Sequence, residues 1–297
     1  MDPRRAYGAL VEEERTETGE RVPVATIFLT NRECPWHCLM CDLWTNTLEE
    51  SVPTGAIPEQ IRAALAGLPP ARRLKLYNAG SFFDPKAIPS ADLPAIAALA
   101  APFDRVIVEC HPALIGEDCF DFQDLTGGRL EVALGLETAH PEALARLNKG
   151  MTLEDFRRAA ATLCGRGIPV RAFVLVGLPF VSPEQWREWC RRSVAFAFEC
   201  GASAVSLIPT RAGNGALDAL RESGEFRTPL LGELDHCLAD GIASGRGRVF
   251  GDLWDLEKLA DCPSCFVERA ARLRRMNLDQ IIPPPVSCSA CGGTPCG

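Results

Sequence analysis

The sequence contains no apolar run that approaches the roughly 20 residues a helix needs to cross a membrane. Its first twenty residues also lack the continuous apolar segment of a secretory signal. We therefore expect a cytoplasmic protein with no membrane partner. Basic residues are outnumbered by acidic ones, 31 to 39, for a net charge of −8. This balance gives no global electrostatic attraction to nucleic acid.

Internal repeats and low-complexity tracts are missing as well, so the organisation of the chain has to be inferred from apolar patterning. The 297 residues are enough to bury a large core. β-Branched and apolar segments with helical stretches between them predict buried parallel strands. The predicted strands span residues 23–30, 73–80, 104–110, 129–137, 170–179 and 202–209.

The helical stretches are predicted from their spacing of apolar residues and from helix-start signals. Ser182 and Pro183, for example, form a cap and a first turn. Six strand-helix units predict an α/β fold, either an open doubly wound sheet or a partial barrel. Both architectures place their chemistry at the carboxyl ends of the strands. The predicted helices lie at 58–68, near 93, between 140 and 167, and from 182 to 201.

Fourteen cysteines would be unusual as a disulfide framework in a reducing compartment, and eight of them fall in two groups with metal-ligand spacing. In the first group, CPWHCLMC, three cysteines directly follow the first predicted strand. Three thiolates can hold three irons of a [4Fe-4S] cluster and leave the fourth iron without a protein ligand. The alternative is a zinc site completed by His37, although its neighbour Cys38 makes tetrahedral geometry awkward.

The spacing of Cys34, Cys38 and Cys41 after a first strand resembles the signature of the radical S-adenosylmethionine (radical SAM) superfamily. The resemblance implies a partial (β/α)6 barrel of the TIM type over residues 23–247. An N-terminal extension would cover 1–22, and a small Cys-rich extension would cover 248–297. It also implies a [4Fe-4S] cluster whose open iron is chelated by S-adenosylmethionine. One electron then releases a 5′-deoxyadenosyl radical that abstracts a substrate hydrogen.

The same resemblance assigns cofactor contacts to five segments. The segment NAGSF follows the second strand, where the superfamily has a glycine-rich motif, but it departs from the commonest Gly-Gly-Glu form. From the residues alone, Arg171 needs a carboxylate partner because it lies within an apolar strand; by resemblance that carboxylate belongs to the cofactor. The implied cofactor-binding residues are Met40, Asn78, Ala79, Gly80, Ser81, Glu137, Arg171, Gly177 and Leu178.

The segment LARLNKGMTLEDFRRA, residues 144–159, narrows the resemblance to a branch that contains elongator-type radical domains and the radical subunit of archaeosine synthase. In that branch Lys149 would carry charge to the mouth of the site, although a polar loop also accommodates a lysine. The branch implies an electron donor of the flavodoxin or ferredoxin type. Its substrate would be a tRNA base or a small molecule, with or without a partner protein.

The mouth of the site is expected to be polar. Asp84 follows the second predicted strand, and Glu109, Cys110 and His111 lie at the end of the third, but they identify no single substrate. The competing functional hypothesis is a non-catalytic iron-sulfur or zinc-binding interaction protein on a barrel scaffold. Release of 5′-deoxyadenosine distinguishes the two hypotheses.

The second cysteine group contains two CxxC pairs separated by 22 residues, Cys262 and Cys265, then Cys288 and Cys291, with Cys296 five residues beyond them. Four thiolates suit a structural zinc ion, which would fix a tail with little core, and they also suit an auxiliary iron-sulfur cluster. We favour zinc because short-spaced pairs in a Gly/Pro-rich tail are typical of it. Cys296 is expected not to be a ligand.

Overall fold

In the computed structural model, residues 1–291 of the chain are described. Their strands form one sheet in which each strand lies beside the next one in the chain. β1 is antiparallel to β2, and all other neighbouring pairs are parallel. The strands are β1 Gly8–Arg15, β2 Arg21–Leu29, β3 Arg73–Asn78, β4 Arg105–Cys110, β5 Leu130–Glu137, β6 Val170–Val176, β7 Ala204–Pro209 and β8 Arg248–Gly251.

Helices follow the parallel strands and cover one face of the curled sheet. The main core lies between this face and the helices and includes alternate residues of the strands, such as Ile27, Leu76 and Val108. The predicted α/β fold, a partial barrel with a Cys-rich tail, is confirmed. The helices are α1 Ala56–Gly67, α2 Leu93–Ala100, α3 Glu117–Leu125, α4 Pro141–Arg146, α5 Leu153–Gly165, α6 Pro183–Glu199, α7 Ala216–Glu222, α8 Leu231–Ala243 and α9 Phe266–Asp279.

Local sequence signals account for several helix starts. Thr152 accepts a hydrogen bond from the backbone of Asp155, whose carboxylate bonds back to the Thr152 backbone, so this capping box begins α5. Pro183 occupies the first turn of α6, where its missing N–H leaves no bond unmade. These helices return the chain to the start of the next parallel strand.

Strand β1 was not predicted, because its sequence GALVEEER reads as a polar surface segment. Its acidic residues instead enter the barrel. Glu12 lies 3.1 Å from the Lys75 ammonium, and Glu14 lies 2.7 Å from Arg171. The glutamates of β1 are thus counter-ions of basic residues on distant strands.

The other edge of the sheet, β8, is covered by α9. The side-chain amide of Asn277 bonds both the N–H and the carbonyl of Gly251, and Gln280 does the same for Val249. Amide side chains therefore bond backbone groups of this edge strand that could otherwise pair with another strand. β1 and β8 lie outside the predicted barrel limits of 23 and 247 but join its sheet. Those limits remain a prediction about domain boundaries.

Candidate functional site

The cysteine loop lies at the carboxyl end of β2, where the chain leaves the barrel. Asn214, beyond β7, donates hydrogen bonds to the carbonyls of Leu39 and Cys41 at 2.8 and 3.2 Å. The Leu39 amide donates to the Leu147 carbonyl at 2.9 Å. The loop is thereby fixed to two other loops at the same end of the barrel.

Asn148 and His111 complete this attachment. The Asn148 amide donates to the carbonyls of Trp36 and His37. The Trp36 ring stacks on the His111 ring with centroids 3.8 Å apart, and His111 Nε2 contacts the Lys149 carbonyl at 2.9 Å. His111 Nδ1 accepts from the Ala113 amide, so Nε2 carries the proton and donates. Burial lowers the pKa of His111 to about 4, which keeps the ring neutral.

The three cysteines of the loop are not arranged around one ion. Among residues 1–291, sets of at least three His, Cys, Asp or Glu ligand atoms within 4.8 Å of one another comprise only the four C-terminal cysteines. Thiolates on one zinc ion would lie about 3.8 Å apart, given bonds of about 2.3 Å. His37 instead contacts Glu33 at 3.1 Å and is largely exposed. These positions fit ligands of different irons better than a zinc site.

The loop thiols are protonated in the absence of a metal. Burial raises the pKa of Cys38 and of Cys41 to about 11. Burial also raises the pKa of Cys34, and the Lys149 ammonium partly offsets this effect at Cys34 and Cys38. Cluster binding therefore has to release protons, as is usual for thiolate sites.

The NAGSF segment carries an unpaired polar side chain into this site. Asn78 is fully buried, and neither its amide nitrogen nor its amide oxygen has a hydrogen-bond partner. Gly80 lies between it and the cysteine loop: a Cβ there would be 3.6 Å from Asn78 Nδ2 and 3.4 Å from Cys34 Cβ. A buried amide with no partner is costly, so this position favours a polar ligand.

The neighbours of Asn78 are already engaged within the protein. The Ala79 amide bonds the side chain of Asn31 at 3.2 Å. The Ser81 hydroxyl accepts from the His111 amide at 2.9 Å. Asn78 thus differs from its neighbours in that its side chain makes no hydrogen bond within the protein.

Glu137 and Lys149 form a buried ion pair beside the cysteine loop. Lys149 Nζ lies 2.7 Å from Glu137 Oε1, and both side chains are at most 13% exposed. Glu137 has φ +65, in the left-handed region, where β5 shifts its register against β6. Although burial opposes it, Glu137 holds the pKa of Lys149 above its usual value. The site therefore contains a stable cation.

An apolar cluster forms another side of the site. Leu175 and Leu178, at the end of β6, belong to it, and Met40 and Leu39 from the cysteine loop pack against it. The predicted contacts Met40 and Leu178 are thereby brought together. Gly177 has φ +83, and a Cβ on it would lie 2.7 Å from Pro229. The close approach of Pro229 therefore already requires a glycine there.

The predicted role of Arg171 needs correction. Arg171 lies at the start of β6, at the amino ends of the parallel strands, whereas the cysteine loop lies at their carboxyl ends. Its guanidinium bonds both carboxylate oxygens of Glu14, at 2.9 and 2.7 Å, and Glu131 at 3.0 Å. The expected carboxylate partner exists, but the protein supplies it. The basic side chain that is present at the cysteine loop is Lys149.

The four C-terminal cysteines converge before and after α9. The sulfurs of Cys262 and Cys288, and those of Cys265 and Cys291, are 4.0 Å apart. A hydrogen bond with Cys291 lowers the pKa of Cys262 to about 7. This is a metal-binding arrangement. Cys296 lies outside the described residues.

The fold and the cysteine loop define a barrel protein with a thiolate site at the carboxyl ends of its strands. The family model described as the radical SAM superfamily matches residues 28–192, more than half of the chain. The chain belongs to the radical SAM superfamily and is an enzyme of it. The superfamily implies a [4Fe-4S] cluster and S-adenosylmethionine as cofactors, for which the cysteine loop, the Asn78 amide and the Lys149 cation are suitable.

Two curated relatives are archaeosine synthase beta subunits. The one from Methanosarcina acetivorans is 26% identical over 288 residues, which cover 88% of this chain and 80% of the relative. The one from Thermococcus kodakarensis is 27% identical over 204 residues, which cover 65% of this chain and 63% of the relative. Together with the family match, they confirm the predicted branch of the superfamily.

Solved structures show the same fold at low identity. The archaeal Elp3 of Methanocaldococcus infernus superposes with a TM-score of 0.58 at 15% identity, covering 85% of this chain and 63% of that one. Methylornithine synthase superposes with a TM-score of 0.58 at 16% identity, covering 91% and 75%. In the described part of the chain, no helix has the length and apolar character needed to span a membrane.

Proposed function

We propose that this protein cleaves S-adenosylmethionine reductively and uses the resulting radical to abstract hydrogen from a substrate bound in the barrel. A bound [4Fe-4S] cluster would supply the electron that cleaves the S-adenosylmethionine sulfonium into methionine and a 5′-deoxyadenosyl radical, which is the chemistry of this superfamily. The part of the protein is to bind, orient and shield the reactants. Cys34, Cys38 and Cys41 would hold the cluster and leave one iron open.

One observation carries the proposal, the unpartnered amide of buried Asn78 beside Cys34. A structural iron-sulfur or zinc site needs no such group, and a buried amide left unbonded destabilises the fold. A zwitterionic ligand at the open iron has an ammonium and a carboxylate, both of which an amide can bond. Asn78 therefore supports a cofactor site over a purely structural one.

The other contacts can be assigned by charge and polarity. Lys149 is the cation that a ligand carboxylate would meet, in place of Arg171, and Glu137 is the acceptor proposed for ribose hydroxyls. Because the two side chains now bond each other, a bound cofactor would share or replace that bond. Met40, Leu175 and Leu178 offer an apolar surface to the adenine. The backbone of residues 79–81 lies beside Asn78 as a further binding surface.

The substrate is proposed to be a tRNA base or a small molecule. The archaeosine synthase relatives support the first possibility, with a partner protein that presents the substrate. A flavodoxin or ferredoxin would supply electrons. The location is proposed to be cytoplasmic, in line with the reducing conditions that free thiols require.

For the C-terminal cysteines we propose one structural zinc ion. The sulfur separations of 4.0 Å are close to the roughly 3.8 Å expected for two thiolates on one zinc ion. The ligands of a four-iron cluster bind four different irons and lie farther apart. Zinc there would fix Cys262 and Cys265, just before α9, to the segment that follows this helix.

The test is to purify the protein without oxygen, reconstitute it with iron and sulfide, and measure dithionite-dependent formation of 5′-deoxyadenosine. Cys38→Ala should lose cluster absorbance and reduce product to background. Cys164→Ala is the matched control, because this exposed cysteine lies in α5, outside both cysteine groups, and should change neither readout.

Metal analysis accompanies this assay. Four irons and one zinc per chain are expected, and about eight irons without zinc would make the tail an auxiliary cluster. A protein that binds iron but never forms 5′-deoxyadenosine would favour the alternative, a non-catalytic metal-binding interaction protein.

A further inference from the structure

The side chains that face the barrel interior near the carboxyl ends of β2, β3 and β4 include aromatic rings and a carboxylate. Ile27, Leu76 and Val108 face the helices, so the next residues along the chain, Phe28, Tyr77 and Glu109, face the interior. The register places Phe28 opposite Tyr77, and the step after Leu76 and Val108 places Tyr77 beside Glu109. Three neighbouring strands thus present two aromatic rings and one carboxylate side by side.

Open space reaches this layer. Phe28, Tyr77 and Glu109 are each partly exposed, although the residues on both sides of them in their strands are buried. Phe173 shows the same pattern on β6. Because these side chains face the interior, their partial exposure indicates a solvent-accessible space inside the barrel near the carboxyl ends of the strands, called the cavity below. The cysteine loop lies at the same end.

The aromatic rings meet at steep angles. Tyr77 and Phe173 contact each other from different sides of the barrel, with centroids 6.0 Å apart and ring planes at 90°. Phe28 and Tyr77 are inclined at 62°, with centroids 6.5 Å apart. Trp254, which is 48% exposed, packs on Phe28 at 75°. Such edge-to-face contacts are a preferred packing of aromatic pairs and hold these rings in fixed positions in the barrel interior.

Glu109 has no cation of its own. One carboxylate oxygen accepts a hydrogen bond from the backbone N–H of Asn78, at 2.5 Å, and within residues 1–291 no ion pair involves the Glu109 side chain. The basic groups around the cavity are already paired: Lys149 bonds Glu137, and Arg211 bonds Asp252. The Glu109 side chain therefore has no directly bonded counter-ion beside the aromatic rings. Burial raises the pKa of Glu109 to about 8, so at neutral pH the carboxyl is largely protonated and loses its proton when a cation binds beside it.

We propose that the cavity bounded by Phe28, Tyr77, Phe173 and Glu109 binds a cationic group of the substrate, an ammonium or a guanidinium. The rings attract the cation through their faces, and the carboxylate neutralises it. The inference rests on the proposed function, because it names the substrate class of the same site. It limits substrates to molecules with a basic group at the end that enters the barrel.

The test measures binding of a small probe, so it does not depend on turnover. Reconstituted full-length protein with S-adenosylmethionine is titrated with n-butylammonium at constant ionic strength, with 1-butanol as the neutral probe of the same chain length. Ligand-observed NMR yields Kd for both. We expect n-butylammonium to bind at least about tenfold more tightly than 1-butanol, the ratio that one charge-assisted hydrogen bond gives.

Two variants locate the site. Glu109→Gln keeps an acceptor for the backbone N–H of Asn78. It should weaken n-butylammonium binding by about tenfold and leave the Kd of 1-butanol unchanged. Phe173→Leu keeps an apolar side chain but removes the ring, and should weaken n-butylammonium binding by about threefold. Glu50→Gln, an exposed carboxylate outside the barrel, should have no effect. Equal cluster content and a cooperative thermal unfolding transition show that the variants are folded.

Equal Kd values for the two probes, or no change in Glu109→Gln and Phe173→Leu, would overturn the proposal. Tighter binding of adenine than of n-butylammonium, independent of Glu109, would also overturn it and indicate a neutral heteroaromatic substrate. Selective ammonium binding in a protein that never releases 5′-deoxyadenosine would support the cation site and defeat the proposed function. Release of 5′-deoxyadenosine without selective ammonium binding would support the proposed function and overturn the cation site.

Discussion

The two ends of the barrel use the same residue types in opposite ways. At the amino ends of the strands, Arg171 is bonded by Glu14 and Glu131, and Lys75 lies 2.7 Å from Glu14. At the carboxyl ends, in the part of the chain that is described, the side-chain amide of Asn78 has no hydrogen-bond partner and Glu109 forms no ion pair. Charges that satisfy one another stabilise the fold, whereas groups left unsatisfied remain available to ligands.

The difference also explains why a buried arginine was mistaken for a cofactor ligand. Both ends of the barrel require polar groups to be satisfied, so an arginine in an apolar strand does not show at which end its partner lies. The deciding feature is its position within the strand. Residues that begin parallel strands lie at the amino end of the barrel, whereas residues that end them lie at the carboxyl end, beside the cysteine loop.

The largest expected effect comes from removing the buried ion pairs at the amino ends of the strands. Arg171→Met leaves buried Glu131 without its cation and Glu14 with Lys75 alone, and should destabilise the protein by about 3–5 kcal/mol in urea unfolding. S-adenosylmethionine affinity of the folded fraction should stay unchanged. Arg157→Met, which removes an exposed pair with Glu154, is the control and should change stability little. A stable Arg171→Met protein that lost S-adenosylmethionine binding would restore the original assignment.

A comparison of two asparagines tests the difference between the ends directly. Asn78→Ala should leave stability almost unchanged, because its amide makes no bond, but should weaken S-adenosylmethionine binding by about tenfold. Asn277→Ala removes two bonds to Gly251 and should cost about 1–3 kcal/mol without affecting the cofactor. Calorimetric titration and urea unfolding measure both quantities. If Asn78→Ala and Asn277→Ala changed stability and S-adenosylmethionine affinity equally, Asn78 would not be a cofactor-binding residue.

A smaller effect concerns pH. The pKa of Glu109 is raised to about 8 in the folded protein and is about 4.3 when unfolded, so the carboxyl destabilises the fold progressively as pH rises between these values. The other titratable groups that interact with it are Tyr7, Cys41, Tyr77, Cys110, Glu137 and Lys149. Glu109→Gln should therefore raise the melting temperature at pH 8.5 more than at pH 5. An equal shift at both values would show that Glu109 is ionised throughout.

Much of the fold could be predicted because the parallel strands are apolar and separated by recognisable helices. The six predicted strands correspond to β2–β7. β1 was missed because its buried glutamates look like surface residues, and β8 because it has only four residues. In the site, the cysteine spacing was informative without any knowledge of the fold. The supporting residues Asn148 and Asn214 carry no signal, since asparagine in a loop is ordinary.

The sequence by itself determined the local features: three thiols close together after a strand, two CxxC pairs, and the order of strands and helices. These depend on neighbours along the chain and on short-range geometry. Only the tertiary structure decided which charges neutralise each other. Glu14 and Arg171 are 157 residues apart in the chain, yet they bond within the barrel. Electrostatic pairing depends on distance in space, which the spacing of residues along a sequence does not give.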